Sequence, residues 1–186
     1  MGEIFIPPQS QQRLLRVSRR TLEDFVHGVA RQDEGVEDPH LQRRDYGAFV
    51  SLRNGEEFRG CIGTCVASKP LYKTVIDMTE AAASRDHRVE PILEAELDAI
   101  RIDISVLSPL ESALDPLVLE VGTHGLYIAK GDKRGVLLPQ VATQHHWNIK
   151  SFLEQTCIKA GLPRNSWKDS DTRVSSFTAL VIEEQP

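Results

Sequence analysis

Apolar and polar positions divide the chain into short elements. From Ser10, the residues Leu15, Ser18, Leu22, Phe25, Val26 and Val29 fall near one face at helical spacing, with Arg16, Arg19, Arg20 and Glu23 off it, which predicts an amphipathic helix. The acidic stretch Asp33 to Pro39, broken by Gly35, reads as a loop. Residues 46–52 read as a strand. Asn54-Gly55 marks a hairpin, because a type I′ turn needs positive φ at both central positions, and Glu57 to Ile62 is the returning strand. A second helix is predicted from Lys69 to Ser84, capped by Ser68, with Leu71, Val75, Met78 and Ala82 on its apolar stripe.

The cleanest alternation follows. Ile100, Ile102, Ile104 and Val106 interleave with Arg101, Asp103 and Ser105, the mark of a sheet with one buried and one polar face. Lys130 to Gly135 reads as the loop of a hairpin between Leu126–Ala129 and Val136–Leu138, with Pro139 ending the second strand. A third helix has Asn148 as cap, Ile149, Phe152, Leu153, Cys157 and Ala160 on one face, and Gly161 and Pro163 as its stop. Val174 to Ile182 reads as one last strand. Hairpins outnumber helical crossovers, so the predicted class is α+β, a mainly antiparallel sheet flanked by helices, rather than a doubly wound parallel sheet.

Composition narrows the function classes. The chain has 186 residues and a formal net charge of −5, and its 26% charged and 40% hydrophobic residues exclude a disordered or fibrous protein. An acidic chain with dispersed Lys and Arg argues against a general nucleic-acid binder. Three cysteines are too few for a disulfide framework and point to a reducing, cytoplasmic location. Met1-Gly2-Glu3-Ile4-Phe5-Ile6 lacks the basic and apolar regions of a signal peptide, and no apolar run is long enough to span a bilayer, so no membrane role is expected.

Arg59-Gly60-Cys61-Ile62-Gly63-Thr64 carries the candidate chemistry. Strict alternation would place Arg59 and Cys61 on one face, where the guanidinium would favour the nucleophilic thiolate. Gly60 and Gly63 suit a bulge or a close backbone approach, and Gly63-Thr64 could offer N–H groups to an anion. Cys61 can equally be a close-packed cleft residue or plain core, as Cys157 is expected to be. Cys65 completes only half of a zinc site, and the histidines lack metal-helix spacing, so no metal is expected. Asp86 and Arg88, after the second helix, could bind an anion or solvate the helix end, and Gln140 could bind a ligand or satisfy a turn. Walker, dinucleotide-binding and G-x-S-x-G motifs are missing.

The signature Arg59-Gly60-Cys61-Ile62-Gly63 resembles that of the AMMECR domain family, called AmmeMemoRadiSam system protein A in prokaryotes. The likeness continues through Ser105 to Pro109, Glu120-Val121-Gly122, Leu137 to Ala142, Trp147, Lys159 to Pro163 and Trp167. It covers residues 12–182 as one domain, with 1–11 as an N-terminal extension. Asp86-His87-Arg88-Val89 departs from the family's Asp-Pro-Arg-Phe-like segment while keeping Asp86 and Arg88. The resemblance implies two α+β lobes with a cleft lined by the cysteine signature, and a pathway shared with Memo-like and radical S-adenosylmethionine proteins. The family's activity is not established. Iron–sulfur chemistry would belong to the partner, since Cys61 and Cys65 supply only the first two positions of a C-x3-C-x2-C motif, and no cofactor is expected here.

Three function classes follow. In the first, a cleft enzyme uses Cys61 and Arg59 on a small, anionic substrate bound by Gly60, Gly63, Thr64, Asp86, Arg88 and Gln140. In the second, a non-catalytic ligand-binding or scaffold protein serves the partner enzymes. Nucleic-acid regulation is the third and has the least support.

Overall fold

A computed structural model describes residues 4–30 and 35–185. Met1-Gly2-Glu3, and Asp33 and Glu34 of the predicted loop, lie outside the described residues. The described residues divide into two compact units: those within 5–107 and from 180 onward form the larger, and Ile4 with residues 108–179 the smaller. Each has its own four-stranded sheet, and the class is α+β, as the pattern predicts.

The larger unit begins with α1 (Pro8–Val26), which starts before Ser10 because Pro8 fits a first turn. Its buried face is Ser10, Leu14, Ser18, Thr21 and Leu22. The expected face is corrected at both ends: Leu14 takes the place of Leu15, and Phe25 and Val29 are exposed. Strands β1 (Gly47–Asn54) and β2 (Glu57–Thr64) form the predicted hairpin. The residues between them are Gly55 and Glu56, and only Gly55 has positive φ, so the first central position alone needs glycine. That is the requirement of a type II′ turn rather than the expected type I′.

Helix α2 (Leu71–Ser84) follows, starting two residues after Lys69 because Pro70 rather than Ser68 is its cap. Strand β3 (Ile100–Leu107) buries the alternating Ile100, Ile102, Ile104 and Val106. β1 pairs antiparallel with β2 on one side and β3 on the other. Ala48, Val50 and Leu52 bury the core face of β1, opposite their register partners Val106, Ile104 and Ile102. The apolar stripes of α1 and α2 pack together, and buried Ser18 and Thr79 share a hydrogen bond of 2.7 Å between them.

In the smaller unit, β4 (Glu111–Ser112) precedes the hairpin β5 (Gly125–Lys130) and β6 (Lys133–Leu137). The hairpin turns at Gly131, one residue from the strand end, so both strands are longer than expected. Pro139 does not merely end a strand but opens a short helix, α3 (Pro139–Gln144). Helix α4 (Ile149–Lys159) is capped as predicted, Asn148 accepting from the Ser151 N–H at 2.9 Å. Its Phe152, Leu153 and Cys157 join Leu126 and Ile128 in the core. The expected last strand is two: β7 (Arg173–Phe177) pairs with β4 and β5, and β8 (Ala179–Glu183) lies beside β3 in the other sheet.

Candidate functional site

The hairpin ladder carries one irregularity, and it falls inside the cysteine signature. Arg53 lies opposite Phe58 and Leu52 opposite Gly60, so Arg59 is the extra residue of a β-bulge. Gly60 takes φ 144°, and a Cβ there would stand 2.2 Å from the Ala82 carbonyl oxygen of α2. The close approach that the glycine permits is to the protein's own helix. Gly63 is similar: its Cβ would sit 2.2 Å from the Phe49 ring, which covers the glycine from the neighbouring strand.

The bulge separates the two residues that alternation would have paired. Arg59 is buried and makes a two-pronged ion pair with Glu96, at 2.6 and 2.9 Å, on the turn Glu94–Glu96. The Glu96 carboxylate also accepts from the Leu93 N–H at 3.0 Å. The expectation that Arg59 activates Cys61 is therefore corrected: its fork is spent on Glu96. The cations that bear on the thiol are Arg88 and Arg53.

Asp86 and Arg88 hold the Cys61 peptide from outside the sheet. β2 is an edge strand, and the Cys61 N–H donates to Asp86 Oδ2 at 2.9 Å while Arg88 Nη2 donates to the Cys61 carbonyl at 3.0 Å. These two side chains do for Cys61 what a neighbouring strand's carbonyl and N–H would do. Arg88 is itself fixed, its Nε 2.8 Å from Asp86 Oδ1 and its guanidinium stacked 4.6 Å from the Phe58 ring. Arg88, helped by the N–H groups of Cys61 and Arg88, outweighs burial and holds the Asp86 carboxyl well below the usual carboxylate range.

On the other side of Cys61 the register is Ser51, then Asp103 on β3. Directly opposed residues share a face, so Cys61, Ser51 and Asp103 form a row across three strands on the sheet's polar side. Burial pushes the Cys61 thiol up, against the lowering effects of the Ser51 hydrogen bond and Arg88. Burial also raises Asp103, opposed by Arg53, whose Nε lies 3.5 Å from its carboxylate. Ser51 and Asp103 were not among the sequence candidates. Their signal is the polar half of each strand's alternation, read through the bulged register.

The other candidates are dispersed. The Thr64 hydroxyl closes a turn with Val66, donating to its carbonyl at 3.1 Å and accepting from its N–H at 3.2 Å. Gln140 belongs to the smaller unit, half-buried in the first turn of α3, and its carbonyl accepts from the Thr143 hydroxyl at 2.8 Å. Cys157 is core, as expected, and Cys65 is buried with its thiol pushed up to about 12 by that burial. No helix among the described residues is long and apolar enough to cross a membrane.

The AMMECR1 family matches residues 15–182, a span that holds both the bulged signature and the Asp86–Arg88 clamp. The chain belongs to the AMMECR1 family. A protein of Methanothermobacter thermautotrophicus is 39% identical over 179 residues, covering 92% of each chain. One from Thermococcus onnurineus is 40% identical over 184 residues, covering 92% of this chain and 89% of the relative. The crystal structure of an uncharacterized protein from Pyrococcus horikoshii superposes with a TM-score of 0.90 at 33% identity, covering 97% of this chain and 94% of that one.

Proposed function

We propose that this AMMECR1-family protein binds a small polar ligand on the sheet face formed by Cys61, Ser51 and Asp103, with Cys61 acting as a neutral hydrogen-bonding group rather than as a thiolate. The observation that carries this reading is the combination at one residue of a backbone clamped by Asp86 and Arg88 and a thiol pushed up by burial. A nucleophilic cysteine needs the opposite shift. Arg53 and Arg88, each about half exposed, border the row and are already paired with Asp103 and Asp86, so the face favours a polar ligand over a strongly charged one. In this reading the ligand is a compound shared with the Memo-like and radical S-adenosylmethionine proteins of the same pathway.

A thiol-dependent enzyme is the second reading, and the register favours it at one point. Asp103, its carboxyl raised, could receive a proton from the Ser51 hydroxyl as Ser51 takes the proton of the Cys61 thiol, leaving a thiolate. Site-resolved alkylation of the folded protein from pH 5 to 10 separates the two. The binding reading expects Cys61 to titrate above the ordinary thiol value of about 8.5. An apparent pKa well below that value would overturn it in favour of the enzyme.

A further inference from the structure

Two cavities lie at the opposite edge of the same sheet from the cysteine signature. One, of about 640 Å³, is bounded by α1 residues Gln11, Leu15 and Arg16, by the β8 residues Val181 to Glu183 and by Glu184 just past the strand. A second, of about 520 Å³, continues along α1 past Glu23 and His27 toward Glu94 and Asp98. They share Arg19, Glu184 and Gln185, so they form one groove along the helix.

Successive strand residues point to alternate faces, yet Val181, Ile182 and Glu183 all border the first cavity. A cavity lined by three strand residues in succession runs along the strand's backbone edge rather than over one face. β8 ends the strand order, next to β3 alone, so this edge is the sheet's outer one. The floor is firm: Arg19 spans Glu184, the Leu97 carbonyl at 3.2 Å and the Ile100 carbonyl at 2.7 Å.

We infer that this groove is a docking site for an extended peptide segment of a partner protein, which adds to the β8 edge, sets an aliphatic side chain against Leu15 and Val181, and directs a basic side chain to Glu23, Glu94 and Asp98. An exposed sheet edge with a helix alongside it is the arrangement that main-chain addition uses, and Pro8, Leu15 and Val181 give this one its apolar contacts. The charge is arranged lengthwise. Arg16 and Glu183 offset each other at the first cavity, whereas at the second Glu23, Glu94 and Asp98 face, besides the shared Arg19, one arginine, Arg101, whose Nη1 is held by the Asp98 and Ile100 carbonyls, and His27, which lies 3.5 Å from Glu94. Leu15 and Glu23 are about 12 Å apart along the helix. An extended chain covers that in about four residues, which sets the spacing between aliphatic and basic positions. None of the cysteine-signature residues borders the groove, so the inference does not depend on the ligand reading above.

The test is fluorescence anisotropy with a labelled peptide, Thr-Val-Thr-Val-Thr-Lys-Arg, against a control ending in Glu-Glu. The Lys-Arg peptide is expected to bind at least about tenfold more tightly, and to slow amide exchange at Val181 to Glu183. The surface variant Glu94→Lys/Asp98→Lys should abolish the preference while leaving the fold intact. Failure to saturate by about 1 mM peptide, or a preference that survives the double charge reversal, overturns the inference. So does a concentration-dependent dimer that protects β8 without peptide, which would assign the edge to a second copy of this chain.

Discussion

The Asp86 carboxylate accepts the Cys61 N–H at 2.9 Å, and through this bond a loop after α2 governs the edge strand that carries the signature. The carboxylate is almost fully buried and is matched by the Arg88 guanidinium, which returns to the carbonyl of the same Cys61. The candidate site is therefore stabilised from its backbone outward.

Replacing Asp86 with Ala should cost about 2 kcal/mol at neutral pH, because it leaves a strand N–H and a guanidinium without their charged acceptor. The loss should appear as a lower urea midpoint with an unchanged slope. Since the folded-state carboxyl lies below its unfolded value of 3.8, its stabilisation is complete above that value and is lost as the pH falls toward the folded one. The gap between wild type and variant should accordingly close below about pH 4, measured by urea unfolding at a series of pH values.

Gly60→Ala should be the more damaging of the two signature-glycine substitutions. It meets a backbone carbonyl of α2 and forces a side chain into the left-handed region, so a loss of about 3 kcal/mol or failure to fold is expected. Gly63→Ala meets the Phe49 ring and, at 2.5 Å, the Ala48 carbonyl oxygen, but its backbone is not in the left-handed region, so about 2 kcal/mol is expected. Thermal melts of both variants give the order.

Arg59→Lys tests whether this arginine serves the fold or the thiol. Loss of the two-pronged contact with Glu96 should lower stability by about 1 kcal/mol. The pH profile of Cys61 alkylation should stay where it is in the wild type. A profile that moves upward would return Arg59 to the role that simple alternation gives it.

Ser51→Ala should shift Cys61 alkylation to higher pH, because the hydroxyl that supports the thiolate is gone while burial remains. Arg88→Ala should shift it in the same direction through loss of the nearby positive charge. Mass spectrometry of the alkylated peptide reads both, with buried Cys65 and Cys157 as internal unreactive references.

Much of the local structure was legible because its causes are local. The β3 alternation, the Asn148 cap, the hairpin after β1 and the apolar stripe of α4 follow from spacing and capping within a few residues. The misread elements are those where a distant contact decides. Val174 to Ile182 has an unbroken strand pattern, yet the chain leaves one sheet for the other at Thr178, between β7 and β8. Periodicity reports that a residue is extended, but not which strand it pairs with.

The candidate site shows the same division more sharply. The sequence by itself determined that Arg59 to Thr64 is unusual, that the chain is α+β, and that the signature resembles one family. Only the tertiary structure decided what the residues of the signature contact. In an unbroken hairpin counted from Asn54 and Glu57, Ser51 would lie opposite Gly60; the bulge at Arg59 moves it opposite Cys61 and sends Arg59 to Glu96. The bulge itself is accommodated by α2, whose Ala82 carbonyl needs the space that Gly60 leaves empty. A one-residue shift in register is invisible to pattern, because it is set by a helix packing against the strand from more than twenty positions away.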